Sequence, residues 1–338
     1  MKQALKNHLG LVILAGLLLL LPMLSPGSFV LDLATRTALT AVVVIGLNLL
    51  FGYAGQVSLG HAAFFGLGGY ASALLTTHAG WSSLVALTAG AVAVGVLAFV
   101  IARPILRLAG HHLAMATLSL AFIVTIVCTN EKQWTGGYDG MPVPPFTLLG
   151  WTLEGERPWY AVAAVCLLLV TWGATNLARS PAGRALQAIR GSEVAARLAG
   201  IDVVRAKTRV FVLSAVLASM MGSLMAHQAG FITPAATGLS RSIEFLMMVV
   251  LGGMASIYGS IVGAAVVLLL PQVLHAFGAW ETLVMGLILT GTMIFMRNGI
   301  VPALQARLQR RMPASTPVPD RSAMARTPVG GHSQEPLA

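Results

Sequence analysis

Charge is scarce in this sequence, and acidic charge scarcer still. Eleven Asp and Glu stand against 21 Lys and Arg in 338 residues; charged residues make up 9% and apolar ones 57%, with a mean hydropathy of +0.82. A soluble domain carries about 25% charged residues, so the composition excludes one and places the chain in a membrane. The net charge of +10 does not imply nucleic acid. The positive residues fall in loops and in the C-terminal stretch, where they would face anionic lipid and cytoplasmic partners. Cysteine is nearly absent. Cys128 and Cys166 both sit in apolar segments without spacing partners, which argues against a disulfide and against a metal site. There is no G-x-x-x-x-G-K-[ST], hence no P-loop ATPase on this chain. No His/Cys/carboxylate cluster has metal-ligand spacing and no triad signature occurs, so no catalytic residue, metal or cofactor is expected. Unpaired acids deep in several spans, the mark of a proton or sodium carrier, are few.

What the chain has instead is long apolar runs. About ten can be read, at 9–24, 29–51, 62–79, 82–102, 112–129, 159–177, 210–228, 242–256, 258–277 and 281–297. Several are short for a straight crossing, so some are expected to be half-helices or re-entrant. The fold class is therefore an all-α integral membrane protein. Lys2 and Lys6 before the first run imitate a signal peptide, but a small-x-small cleavage pattern is missing and Pro22 and Pro26 follow, so a retained span is expected. The positive-inside rule orients all loops consistently. Lys2, Lys6, Arg103, Arg107, the 179–209 loop and Arg297, Arg307, Arg310 and Arg311 fall inside, while the 130–158 loop, with four acids and two bases, falls outside. Both termini are then cytoplasmic. Residues 1–311 form the membrane domain, and 312–338, rich in Pro, Ser, Thr, Ala and Gly without an apolar face, read as a disordered tail.

The 179–209 loop carries seven Lys and Arg against Glu193 and Asp202 alone. Its punctuation predicts two short helices. Ser180 caps the first, with Pro181 at its opening position and Gly191 at its end; Ser192 caps the second, which Gly200 stops in a left-handed conformation. Val194, Ala195 and Leu198 share one face, and Glu193 pairs with Arg197 at i,i+4. A structured helix in such a loop either docks on a partner or rests on anionic lipid.

The stretch Gly46–Tyr70, GLNLLFGYAGQVSLGHAAFFGLGGY, holds seven glycines, with Gln56, Ser58 and His61 near its centre. Each glycine costs a helix interior about 1 kcal/mol relative to Ala. In a membrane that density serves close helix packing or a helix broken around a polar cavity. On the second reading Gly55, Gln56, Ser58, Gly60 and His61 are candidates for a translocation path; on the first they are a tight interface with polar residues in it. A second cluster, LGGMASIYGSIVG at 251–263, predicts a sharp passage between helices. Arg241 with Glu244 and Asp32 with Arg36 are spaced to neutralise each other, and TGGYDG at 135–140 is a turn.

Four of these segments, namely GLNLLFGYAGQVSLGHAAFFGLGGYASALL, TGGYDG, GRALQAIRGSEVAARLAGIDVVRAK and IEFLMMVVLGGMASIYGSIVGA, together resemble the membrane permeases of branched-chain amino acid ABC importers, LivM type. The resemblance spans roughly residues 30 to 300 in matching order. It implies an ABC importer permease fold in a bacterial inner membrane. It implies partners too: a second related permease subunit, two ATP-binding subunits and a periplasmic substrate-binding protein. Glu193, Ala195, Ala196 and Gly200 resemble the E-x-A-A-x-x-x-G pattern of importer coupling loops, although the usual pattern has Glu-Ala-Ala contiguous; with Leu198 they are the candidate ATPase-coupling residues. Branched-chain amino acids are the implied substrates, with urea, short amides and aromatic acids carried by relatives. A self-sufficient secondary transporter or channel for a small polar solute, and a membrane scaffold, are the rival classes; co-purification with an ATPase subunit separates them.

Overall fold

The computed structural model describes residues 2–24, 27–106, 111–148, 151–274 and 299–303, with isolated positions between 283 and 294. In chain order its helices are α1 (Lys2–Leu24), α2 (Ser28–Asn48), α3 (His61–Thr77), α4 (Ser83–Ile105), α5 (His111–Asn130), the one-turn α6 (Lys132–Thr135), α7 (Glu156–Arg179), α8 (Pro181–Gly191), α9 (Glu193–Leu198), α10 (Val203–Ala229), α11 (Leu239–Gly252) and α12 (Ile257–Leu274). Among the described residues six stretches are long and apolar enough to cross a membrane: Ser28–Tyr53, Ser83–Ile105, His112–Asn130, Glu156–Arg179, Val203–Ala229 and Ile257–Leu274. The sequence leads to an expectation of about ten transmembrane or partly re-entrant helices, and two of the runs expected to be short are short here. At 1.5 Å per residue, α3 with 17 residues and α11 with 14 rise only about 25 and 21 Å, short of a core about 30 Å thick. The run at 281–297, the boundary at 311/312 and the expected tail lie outside the described residues apart from isolated positions.

α2 is the centre of the bundle. It is apolar on every side, and from Ala38 to Asn48 every residue is buried. It packs against α7, α12 and α10, and α10 in turn against α3 and α4. The α3–α10 seam is backbone on backbone: a Cβ at Gly222 would lie 1.8 Å from the Phe65 carbonyl oxygen. The outer helices instead expose large apolar side chains at helical spacing, among them Val92, Val96 and Phe99 on α4, Phe122 and Ile126 on α5, and Val165, Leu169 and Trp172 on α7. Stripes of that size are stable against hydrocarbon rather than water.

Between α5 and α7 the TGGYDG turn forms as expected, with a 3-10 turn at Gly137–Asp139. It leads into a two-residue strand, Met141–Pro142, paired antiparallel with Phe231–Ile232 after α10. The basic loop folds as its punctuation predicts. The Ser180 hydroxyl accepts from the Gly183 N–H at 3.3 Å and the Ser192 hydroxyl from the Ala195 N–H at 3.2 Å, capping α8 and α9. Asp202 caps α10 in the same way through the Arg205 N–H at 3.0 Å. That third cap starts α10 at Val203, so the last part of the basic loop is already helix.

Candidate functional site

The glycine-dense stretch is a broken element. α2 widens into a single π-turn at Leu49–Tyr53, and no helix resumes until His61. The Gln56 N–H reaches back to the Leu50 carbonyl and the Gly55 N–H to the Phe51 carbonyl, both at 3.1 Å. This resembles a Schellman closure stretched by one residue. Gly55 has φ +69°, a left-handed conformation that side chains disfavour.

A break inside a bundle frees backbone groups that must find partners. Hydroxyls from two neighbouring helices meet two such N–H groups, and a third helix meets the histidine side chain. The Leu59 N–H donates to Thr117 Oγ1 of α5 at 3.1 Å, and the Ala62 N–H to Ser242 Oγ of α11 at 3.1 Å. His61 is fully buried, with Nε2 2.6 Å from Ser214 Oγ of α10 and Nδ1 3.4 Å from Ser58 Oγ. At Gly60 a Cβ would fall 2.4 Å from the Thr117 carbonyl oxygen, so α5 closes directly on the break. Of the five residues singled out for a path, Gln56, Ser58, Gly60 and His61 are buried and Gly55 is exposed. Gln56 differs from the rest. Among the described residues neither its Oε1 nor its Nε2 meets a partner, although both are buried. Leaving a buried amide unpaired costs about 1–3 kcal/mol per group, which a purely structural residue seldom carries.

The paired glycine cluster of α11 and α12 is clamped by a residue that periodicity did not single out. The Asn48 side chain is buried at the end of α2. Its Oδ1 accepts from the Ala255 N–H at 3.0 Å, and its Nδ2 lies 2.9 Å from the Ser256 carbonyl, 2.7 Å from Ser260 Oγ and 3.3 Å from the Gly253 carbonyl. The clamp holds Ala255 at φ +60°, costly for a residue with a Cβ. Gly52 sits beneath it: a Cβ there would lie 1.9 Å from Asn48 Oδ1 and 2.4 Å from the Ala255 nitrogen. The one available signal for Asn48 was its amide in the apolar run AVVVIGLN. Ser214, Thr117 and Ser242 gave none, because hydroxyls in apolar helices commonly bond their own backbone.

The basic loop has an inner and an outer face. Ala196 turns inward onto Ile189 and Val203. Val194 and Leu198 turn outward, 68% and 86% exposed, and Ala195 is exposed beside them. Glu193 pairs with Arg197 at 3.7 Å as expected, and also with Lys207 of α10, whose side chain is only 4% exposed. That second pair fixes α9 to the membrane helix. Gly200, at φ +80°, turns the chain out of α9 with nothing within 4 Å of a Cβ position. The two intrahelical pairs also form: Asp32 with Arg36 at 2.9 Å and Arg241 with Glu244 at 2.6 Å. Asp32 takes a further hydrogen bond from Gln228 of α10.

A family model described as the permease component of the branched-chain amino acid transport system matches residues 29–296. The high-affinity branched-chain amino acid transport system permease protein LivM of Escherichia coli is 31% identical, covering 90% of this chain and 77% of that protein. Its counterpart of the same name in Salmonella typhimurium is 31% identical over 85% of this chain and 73% of its own length. The permease protein LivH of E. coli is 24% identical over 67% of this chain and 78% of its own. No solved structure matches.

Proposed function

Because this chain belongs to the family of branched-chain amino acid transport permeases, we propose that it forms half of the membrane channel of an ATP-driven importer, docked on ATP-binding subunits through α9. As a family member it is a transport subunit and not an enzyme; the hydrolysis of ATP belongs to separate chains. The proposed assembly contains a second, related permease, two ATP-binding subunits and a periplasmic substrate-binding protein in a bacterial inner membrane. The proposed cargo is a branched-chain amino acid. Both termini and the basic loop face the cytoplasm, and the 130–158 loop faces outward. The membrane domain runs to about residue 311 with about ten helices, α3 and α11 being half-helices or re-entrant elements that do not cross by themselves.

One observation carries the docking reading. α9 is rigidly held, by the Ser192 cap and by the Glu193–Lys207 pair, yet it turns Val194 and Leu198 outward. Two apolar side chains are too few to hold a lipid surface strongly but are enough to fill a small protein pocket. Glu193, Ala195, Ala196, Leu198 and Gly200 are the proposed coupling residues, with Ala196 acting from the inner face. The proposed path passes the break at Gly55, Gln56, Ser58, Gly60 and His61. Its support is the unpaired buried amide of Gln56, which a passing polar solute or water would satisfy.

The test is orientation together with partnership. Gln187→Cys in the basic loop should react with an impermeant thiol reagent only after the membrane is opened. Tyr138→Cys, at an exposed position in the other loop, should react in intact spheroplasts. An ATP-binding subunit should co-purify with the chain. The reverse labelling pattern sinks the docking reading, and ATP-independent uptake by the purified chain favours a secondary transporter.

A further inference from the structure

The break between α2 and α3 and the basic loop are joined by one side chain. Arg190 lies in the last turn of α8, and its Nη1 donates to the carbonyl oxygen of Gly52 in the π-turn. The widening and ending of the helix there leave that carbonyl without the N–H a continuing helix would supply, and a guanidinium is a strong donor for such an end. The Arg190 stem also packs on the break. A Cβ at Gly55 would meet Arg190 Cγ at 3.3 Å and Arg190 Cα at 3.6 Å. Gly52 touches the Asn48 clamp from its other side, so α8, the end of α2 and the α11–α12 turn meet at one residue. In the sequence Arg190 precedes α9 by only Gly191 and Ser192.

We propose that Arg190 is the positioning residue that delivers movement of the docking helix to the broken segment. A displacement of α9 by a nucleotide-driven partner pulls on the end of α8. Arg190 passes it to the Gly52 carbonyl, and the π-turn passes it through Asn48 to the turn between α11 and α12. The link is bistable in a simple way: the Gly52 carbonyl is either held by the guanidinium or released to close another hydrogen bond. It rests on the coupling reading of α9.

The experiment uses the complete importer, permease pair with its ATP-binding subunits, in proteoliposomes. Arg190→Met keeps a long apolar stem on Gly55 and removes the donor. Arg190→Lys keeps both a stem and a donor. Val57→Cys, in the half-buried part of the break, reports its conformation by its thiol-labelling rate with and without ATP. Arg190→Met should leave the ATP-binding subunits attached and hydrolysing within two-fold of the parent. It should lower ATP-driven uptake at least ten-fold and erase the ATP-dependent difference in labelling at position 57. Arg190→Lys should recover uptake to within about three-fold. A merely structural role would lower abundance and leave the ratio of uptake to hydrolysis unchanged. Equal behaviour of the Met and Lys variants, or an ATP-dependent labelling difference that survives in Arg190→Met, overturns the proposal. Gly200→Val and Ala195→Asp serve as controls in α9. If they transport normally, the coupling reading itself fails; if they uncouple while Arg190→Met does not, only the Arg190 link fails.

Discussion

The basic loop and the broken segment both interrupt an apolar bundle, and they are held in shape by opposite means. The loop is stabilised locally. Ser180, Ser192 and Asp202 each accept from a backbone N–H three residues on, and its ion pairs are mostly between near neighbours in sequence. The break is stabilised from a distance. Beyond the closure at Gly55 and Gln56, the Leu59 and Ala62 N–H groups and the histidine are met by Thr117, Ser242 and Ser214, which lie 58 to 180 residues away. A locally held element moves as a unit when something grips it. An element held from three sides changes only when its neighbours change. That is the division of labour expected of a part that receives a force and a part that gates a path.

The sharpest way to break this comparison is at the point where the two regions touch. Gly52→Val places side-chain atoms where Asn48 Oδ1 and the Ala255 nitrogen already are. Overpacking costs about 1–3 kcal/mol, and here it also disrupts the hydrogen bonds of the clamp. The expected outcome is loss of folded protein from the membrane and uptake below about a tenth of the parent. Parental melting in detergent would show that the clamp yields. Asn48→Leu should come next. It leaves the Ala255 N–H without its acceptor, takes one donor from the Ser256 carbonyl and removes the support for the left-handed Ala255. Interhelical hydrogen bonds in membranes are individually worth less than about 2 kcal/mol, so a loss of about 2 kcal/mol is expected for the set. A thermal melt of the purified chain measures it, and an unchanged midpoint would show that the α11–α12 turn stands without the amide.

The same contrast sets how much could be read from the sequence. The caps of α8 and α9, the end of α9 at Gly200 and the pairs Glu193–Arg197, Asp32–Arg36 and Arg241–Glu244 were legible because each involves residues within five positions of one another. The break was legible as glycine density. Its partners were not, since a serine such as Ser214 looks the same whether it bonds its own helix or a histidine 153 residues away. The Glu193–Lys207 pair, 14 residues apart, was missed for the same reason. Which of the apolar runs cross completely was not legible, because hydropathy alone does not distinguish a 17-residue embedded helix such as α3 from a crossing.

A smaller effect on stability, but a clear one on coupling, is expected in the loop. Gly200→Val forces a β-branched residue to φ +80°, a strain of about 1–3 kcal/mol. Open space surrounds the position, so the membrane bundle should remain folded. Uptake should fall about ten-fold while hydrolysis by the ATP-binding subunits continues. Gly200→Asn, which tolerates the left-handed conformation, should stay within about two-fold of the parent. If Val and Asn are equally harmless, the exit angle of α9 is not what the partner reads.

The mildest change tests whether His61 acts through more than its hydrogen bonds. Its two nitrogens face Ser214 Oγ at 2.6 Å and Ser58 Oγ at 3.4 Å, and the ring also packs edge-on against Phe64. Glutamine at this position keeps an amide for one of the two serines and loses the other contact, a cost of about 1 kcal/mol. Leucine keeps neither and leaves both hydroxyls buried without the imidazole, which costs about 1–3 kcal/mol. If the histidine is only a strut between α3 and α10, stability should fall in the order His, Gln, Leu, and uptake should follow stability with no more than a few-fold loss for Gln. Melting temperature and uptake measured on the same preparations check this. A Gln variant as stable as the parent but transporting less than a tenth as fast would break the correlation. The imidazole would then act on the proposed path directly and not only as a strut, and the polar cluster around Ser58 and Ser214 would line that path as well as hold the break.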